Sequence, residues 1–513
     1  RVQKPWPTEV RESESKRESE ARESEARESE ECLTRFWEPP RILQTWEHKR
    51  AHGEIEHAVT WDELFFDLSL VAAIASASTS LDFWQHHGAH DDGGHHDDGG
   101  HDDHGGHDDV HHRRLSGHAG ATMPFGASIA HFCLVTGMIT SCFVKATVQN
   151  ATVKSKDLTM VLSLFVRACC VLAIGAEAGL GAERLHNVFA SYACYNVVGL
   201  VQGLVILRYT RTSNALNLSV ASGASGVVSL AFAAALAPWG LDWDATTGIY
   251  VAWGVCAPFF FMGHALVHVV RGVLRKGAPS AWVLLPLNVS FVSERDGLLV
   301  IVTCGEAINA ASAILGRAAG SERLTATAVA AMLCGLLLKL MYFELQGHVG
   351  EHALRAGVLR GTAFGLLHLP LWTGIAGVGA ALHLASGDRG NDWRPRERRL
   401  FCGFLAATLV TLAAIQMTHL GRGAARRRVR GELRIAVRLA GAGIIAGLVW
   451  LPDAVHAMDI VLVAAAVMLA DFLFEFYGRR PPLEDRAKDV ELARPSVGAA
   501  VGAPEANPEA PAK

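Results

Sequence analysis

From Trp61 to Phe476 the chain alternates apolar runs of about 20 residues with short polar stretches. A run of that length crosses a hydrocarbon core of about 30 Å as a helix. The runs fall at 61–81, 124–148, 157–178, 186–209, 214–238, 246–270, 293–314, 323–344, 361–385, 399–419, 434–451 and 455–476. A helix of a soluble protein keeps a polar face, and these runs keep none. The pattern therefore predicts an all-α, polytopic transmembrane helix bundle of about twelve spans. Residues 1–58 are polar and include a repeat of Arg, Glu and Ser over Arg11–Glu31. Alternating charges support a solvated helix or a disordered segment, but no core. Residues 481–513 are rich in Pro, Ala and Glu and are expected to be disordered. The organisation is a polar N-terminal region (1–58), a bundle (59–480) and a C-terminal tail (481–513).

Composition supports this division. Of 513 residues, 50% are hydrophobic and 19% charged, below the roughly 25% charged of an ordinary soluble domain. Mean hydropathy is +0.22 despite the polar ends. A simple soluble enzyme, a disordered chain and a disulfide-stapled domain are thereby excluded. A net charge of −4 implies no nucleic-acid partner. The ten cysteines lie mostly within apolar runs and form no CxxC pair, so they read as small buried hydrophobes. The segment opening at Arg1 has no signal-peptide pattern.

Loop charges orient the spans. With the N-terminus cytoplasmic, Lys154 and Lys156, Arg208 and Arg211, Arg271, Arg275 and Lys276, then Arg422, Arg426, Arg427, Arg428, Arg430 and Arg434, and finally Arg479 and Arg480 share the inner side. Loop 387–398, with four arginines, opposes this assignment. Both ends are expected inside, in a plasma membrane. Gly374, Gly377 and Gly379, and Gly443 and Gly447, have the spacing of close helix contacts and leave an oligomer open.

Residues 82–122 hold 11 of the 24 histidines and nine aspartates, with His-Asp-Asp-Gly-Gly starting at His90 and again at His96. Imidazole and carboxylate suit Zn, Ni or Cu. His90, His95, His96, His101, His104 and His107 are the candidate ligands for weak, multi-site binding of a divalent metal such as Zn. A low-complexity solvated linker that meets metal only incidentally explains the composition equally well, and no cofactor is required.

Charged residues within spans need a reason, because each costs about 2.5–3.5 kcal/mol at mid-bilayer on insertion scales. Glu63 and Asp67 are four apart on the first span. Arg167 lies near the centre of the third. The seventh carries Arg295, Asp296 and Glu306, and the ninth His368. Odd-numbered spans enter from one side, so Asp67, Arg167, Glu306 and His368 fall at overlapping depths of roughly 9–20 Å. The expectation is one shared polar site, with Arg295 and Glu63 at its cytoplasmic mouth; pairing that merely locks the bundle is the alternative. His264 and His268 are a possible ligand pair, better read as hydrogen-bonded within the bundle. His348-Val-Gly-Glu351-His352 matches H-x-x-E-H, but its internal glycine disfavours helical presentation of both histidines. No nucleotide loop or hydrolase elbow is present, so no enzyme is expected.

The stretch HAVTWDELFFDLSLVAAIA (His57–Ala75) resembles the opening helix of the bacterial low temperature requirement A family, and SERDGLLVIVTCGEAI (Ser293–Ile308) resembles its "ER-x-G … GE" helix. Leu340–Glu344 and Leu366–Leu382 are similar to two later segments. Asp296 departs from the apolar residue expected there, and the His-rich loop and the Arg-Glu-Ser repeat look like additions. The resemblance implies a polytopic membrane protein. Buried carboxylates and histidine suggest a proton-coupled transporter of an unknown small solute or ion. The alternative is a non-transporting sensor or scaffold that reads metal through the histidine loop.

The loop reading has a direct check. Deleting 86–112 removes no apolar burial, so the bundle should keep its unfolding temperature. Calorimetry on the full chain should show several weak divalent sites that vanish below about pH 6, as imidazole protonates. A deletion that unfolds the protein makes the loop structural.

Overall fold

The computed structural model describes residues 41–43, 59–82, 124–154, 158–237, 244, 246–255, 288–318, 321–345, 352–356, 358–384, 393–419, 429–452 and 455–479. Long helices dominate them. They are α1 (Trp61–Ser78), α2 (Phe125–Asn150), α3 (Leu158–Gly179), α4 (Leu185–Thr210), α5 (Ser213–Leu236), α6 (described over 246–255), α7 (Val289–Arg317), α8 (Glu322–Leu345), α9 (Val358–Leu384), α10 (Pro395–His419), α11 (Gly431–Gly447) and α12 (Ala457–Arg479). Among the described residues, eleven of these helices are long and apolar enough to span a membrane. The remaining expected span, 246–270, is helical as far as it is described. The histidine loop, His264 and His268, His348, Glu351 and the C-terminal tail lie outside the described residues.

Helix boundaries follow local chemistry. Thr60 opens α1 with a capping box: the Thr60 amide donates to Glu63 Oε2 at 2.8 Å, and the Glu63 amide donates back to Thr60 Oγ1. Asn288 caps α7 by accepting from the Phe291 amide. Arg211, in the left-handed region at φ 48°, ends α4 and turns the chain into α5. Within the polar N-terminal region, Arg41–Ile42 forms β1. It pairs antiparallel with β2 (Val153–Lys154) in the α2–α3 connection.

Packing direction agrees with successive crossings of a bilayer. Contacts between α2 and α4 advance together along both helices (Ser141 with Tyr192, Lys145 with Asn196, Gln149 with Gln202), so these even-numbered helices are parallel. Gly175 and Gly179 of α3 meet Ala73 and Ser76 of α1, a parallel odd-numbered pair. Pairs α4–α5, α9–α10 and α11–α12 run antiparallel. Helix α2 lies at the centre, against α1, α3, α7 and α9; α4 and α5 flank one side, and α8 with α10–α12 the other.

Burial is inverted relative to a soluble protein. Leu158, Leu162, Phe165 and Leu172 of α3, Val227 and Leu230 of α5, and Leu469 and Leu473 of α12 face outward, while Arg295, Arg434 and Arg438 are fully enclosed. An apolar exterior around a polar interior is what a lipid solvent selects.

Close approach of α1 and α3 rests on Gly175, where an added Cβ would strike the Ala73 backbone. Gly175→Leu should therefore cost about 1–3 kcal/mol through overpacking, read as a lowered unfolding temperature in detergent. Gly403→Ala, whose Cβ would meet nothing within 4 Å, should not lower that temperature, alanine being the better helix former.

Candidate functional site

Three polar systems lie inside the bundle. In the first, Asp67 of α1 and Arg295 of α7 form an ion pair, with Arg295 Nη2 donating to Asp67 Oδ1 at 2.8 Å. Both are buried, and the guanidinium stacks over the Phe143 ring of α2, 5.1 Å from its centroid. Three helices thus meet on one cation. Asp296 is buried beside it. One turn toward the helix start, Glu63 adds to its capping role by accepting from Asn150 Nδ2 of α2 at 2.6 Å. Expected at the mouth of the site, Glu63 ties the α1 entry to the α2 exit, and Arg295 lies deeper, as the direct partner of Asp67.

His368 of α9 is enclosed near this level. Its Nδ1 donates to the Phe364 carbonyl at 2.7 Å, so Nε2 of the neutral ring accepts from the Tyr342 hydroxyl of α8 at 3.0 Å. The imidazole continues an aromatic column with Phe364 and Trp372, while His352 and His419 pack on Phe364. Two residues on, Pro370 lacks the amide that would bond the Leu366 carbonyl.

Glu306 stands apart from the pair. It is eleven residues beyond Arg295 on α7, about 16 Å of helix rise. Its Cβ abuts Gly379 of α9 so closely that no side chain fits at that glycine. The carboxyl oxygen Oε1 is buried with no hydrogen-bond partner among the described residues. Arg167 is also separate: its Nη1 donates to Gln149 Oε1 at 3.0 Å, and its guanidinium lies over Tyr195 at 5.4 Å. The structure therefore brings together Asp67 and Arg295, places His368 in its own hydrogen-bonded column, and leaves Arg167 and Glu306 in separate surroundings.

The second system surrounds Arg167. Lys145 of α2, equally buried, donates to Asn196 Oδ1 at 2.6 Å and to the Tyr192 hydroxyl at 3.2 Å. Gln149 continues to Gln202, which bonds Ser163. Lys145 lies within an apolar run, and that position was its available signal.

The third system joins α10, α11 and α12. Arg434 Nη1 bonds Glu475 Oε1 at 2.7 Å, Arg438 Nε bonds Asp471 Oδ2 at 3.0 Å, and Gln416 bridges Arg438 and Glu475. Arg434, counted above among loop charges, is fully buried and does not report orientation. The signal was present: Arg434 and Arg438, like Asp471 and Glu475, are four apart within apolar runs, one helix face each. Among the described residues no group of three or more His, Cys, Asp or Glu is placed to hold a metal ion.

Residues 58–469 match the family model of the bacterial low temperature requirement A protein (LtrA). The chain belongs to the LtrA family. A search of curated proteins finds no match. The matched segment begins just before the Thr60 cap and takes in the Asp67–Arg295 pair, Arg167, Glu306 and His368, so every candidate polar residue of the membrane site falls within the LtrA region.

Breaking the central pair on one side leaves a buried charge alone. Asp67→Asn should destabilise this LtrA protein by about 3–5 kcal/mol, measured by denaturation in detergent. The double variant Asp67→Leu with Arg295→Met should recover most of that loss. A double variant as damaged as the sum of the singles would show that the pair is not the unit of stability.

Proposed function

We propose that this LtrA-family membrane protein is a proton-coupled transporter of a small solute or ion, acting in the plasma membrane. The carrying observation is Glu306: a carboxyl enclosed within a membrane helix, with Oε1 lacking a hydrogen-bond partner among the described residues. A carboxyl kept only to lock the bundle would have an oxygen held, by a cation as at Asp67, Asp471 and Glu475 or by hydrogen-bond donors as at Glu63. Glu306 in this reading takes up and releases the coupling proton. The Asp67–Arg295 pair holds α1 and α7 together about 16 Å of helix rise away. Gly379 lets α9 pack against the base of the Glu306 side chain, and Pro370 interrupts the α9 ladder between His368 and that contact. No cofactor and no bond-breaking chemistry enter this reading.

The test is uptake into proteoliposomes from a panel of metal ions and organic anions, with and without an imposed pH gradient. Gradient-driven uptake of at least one solute is expected. Glu306→Gln, which keeps shape and removes the titrating group, should abolish that dependence while leaving expression intact. No gradient-dependent flux for any solute, or flux indifferent to Glu306→Gln, defeats the proposal. Arg167→Ala is expected to impair folding itself.

A further inference from the structure

The network joining α10, α11 and α12 is built on a repeat with more than one solution. Arg430, Arg434 and Arg438 are spaced four residues apart at the start of α11, and Asp471 and Glu475 are four apart on α12. Each set shares one helix face, so three cations meet two acids. In the described register Arg434 holds Glu475 and Arg438 holds Asp471. Arg430, the N-cap, is exposed and makes no ion pair among the described residues. The two helices are antiparallel. Advancing α11 by one residue toward its C-terminus breaks both pairs. Advancing it by four restores two, Arg430 with Glu475 and Arg434 with Asp471. Retreat by four has no such solution, because Ala442 then faces Asp471.

The surroundings suit such a step. Arg438 Nη2 already lies 3.8 Å from Glu475 Oε2, between the two acids. Gln416 of α10 donates to Glu475 and accepts from Arg438, and a neutral amide serves whichever guanidinium stands beside it. Past Arg438 the inner face of α11 is Gly441 and Ala442, so the arginine side chain can extend along its own helix. After the step Arg438 stands at the present level of Ala442, about 8 Å from the level of Gly447, a distance that a snorkelling arginine spans. Ala436, Ala440, Gly443 and Gly447 face outward, so the grip on α11 comes from α10 and α12, its main neighbours. Outside the network, the Val429 amide donates to the Gly478 carbonyl at 3.2 Å, a bond that the step gives up.

We infer that α11 is a voltage-responsive helix with two registers one turn apart. With the start of α11 on the cytoplasmic side, as the charges of 422–430 predict, an inside-negative potential holds the described register and its loss favours the advanced one. The step carries Arg434 and Arg438 outward by about 6 Å of a core of about 30 Å. Arg430 and Glu432 move together and offset. The displaced charge is about 0.4 of an elementary charge, so 100 mV changes the ratio of registers about fivefold. One-turn ratchets of packed elements are a known means of switching. The inference requires that α11 crosses the membrane and does not depend on the transporter reading.

The experiment reads register by cross-linking. A Cβ built at Gly441 lies 3.3 Å from Val467 Cγ1, so Gly441→Cys with Val467→Cys reports the described register. Val437, one turn earlier, takes the place of Gly441 after the step, so Val437→Cys with Val467→Cys reports the advanced one. Right-side-out vesicles carrying the full chain are oxidised with copper phenanthroline at potentials set by potassium and valinomycin. Links between α11 and α12 peptides are counted by mass spectrometry. From −100 mV to zero, the ratio of the 437–467 link to the 441–467 link should rise about fivefold. Arg430→Gln removes the cation that meets Glu475 after the step, and should abolish the rise while leaving the 441–467 link as strong. A ratio indifferent to potential, a change of opposite sign, no 441–467 link at any potential, or the same rise with Arg430→Gln overturns the inference.

Discussion

The ion pair between Asp67 and Arg295 sets the terms for the interior. It joins residues 228 positions apart in sequence, from the first and seventh helices, and it sits in a medium where a lone charge costs several kcal/mol. Once Arg295 answers Asp67, the other groups must find different partners. Asn150 takes Glu63, Gln149 takes Arg167, and Tyr342 takes His368. Phe143 serves two sides of this arrangement, lying under the Arg295 guanidinium and edge-on to Trp372. The central position of α2 follows from that double contact as much as from its apolar surface.

Polar satisfaction is uneven across the bundle. At the α10–α12 end, two arginines and two carboxylates, joined by Gln416, close a network whose charges cancel. Such a network specifies which helix faces meet, because sliding α11 by one residue against α12 would break two ion pairs at once. Around α2–α5 the opposite holds: amides, hydroxyls and tyrosines surround Lys145 and Arg167 and supply hydrogen bonds but no charge. The first arrangement is what a fold uses to hold helices. The second leaves electrostatic attraction unspent.

Much of the fold was legible because lipid makes the code simple. A span must be long, helical and apolar, so hydropathy located the runs now seen as α1–α5 and α7–α12, and the motifs at His57–Ala75 and Ser293–Ile308 pointed to the family. The site was legible only in part. Depth along a helix can be counted from sequence, so the charged positions were found. Which helix each one faces cannot be counted, because rotation and neighbour are set by tertiary packing. Asp67 was therefore placed with Arg167, whereas α1 presents it to α7. Lys145, Arg438, Asp471 and Glu475 were passed over for a different reason. Each lies among apolar neighbours that dominate any window average, and only their partners on other helices show that they act together.

Helix α7 lines both kinds of carboxyl environment, that of Asp67 through Arg295 and that of its own Glu306, and the contrast bears on what each can do. Arg295 and Glu306 share nearly one face, eleven residues apart, yet the neighbouring helices treat them differently. At the level of Arg295, α1 contributes a carboxylate and α2 an aromatic face. At the level of Glu306, α9 contributes Gly379, the one residue type with nothing to offer but room for backbone approach. A glycine there does not hydrogen-bond the carboxyl; it lets the α9 backbone pack against the Cβ and backbone of Glu306. The α9 ladder lacks one hydrogen bond between these two levels, at Pro370, while Gly374 and Gly377 seat its far half on α10. The half of α9 that covers Glu306 is thus packed through glycines, and the half beside the ion pair through hydrogen-bonded rings, so a change in the covering of Glu306 need not disturb the pair that holds α1 to α7.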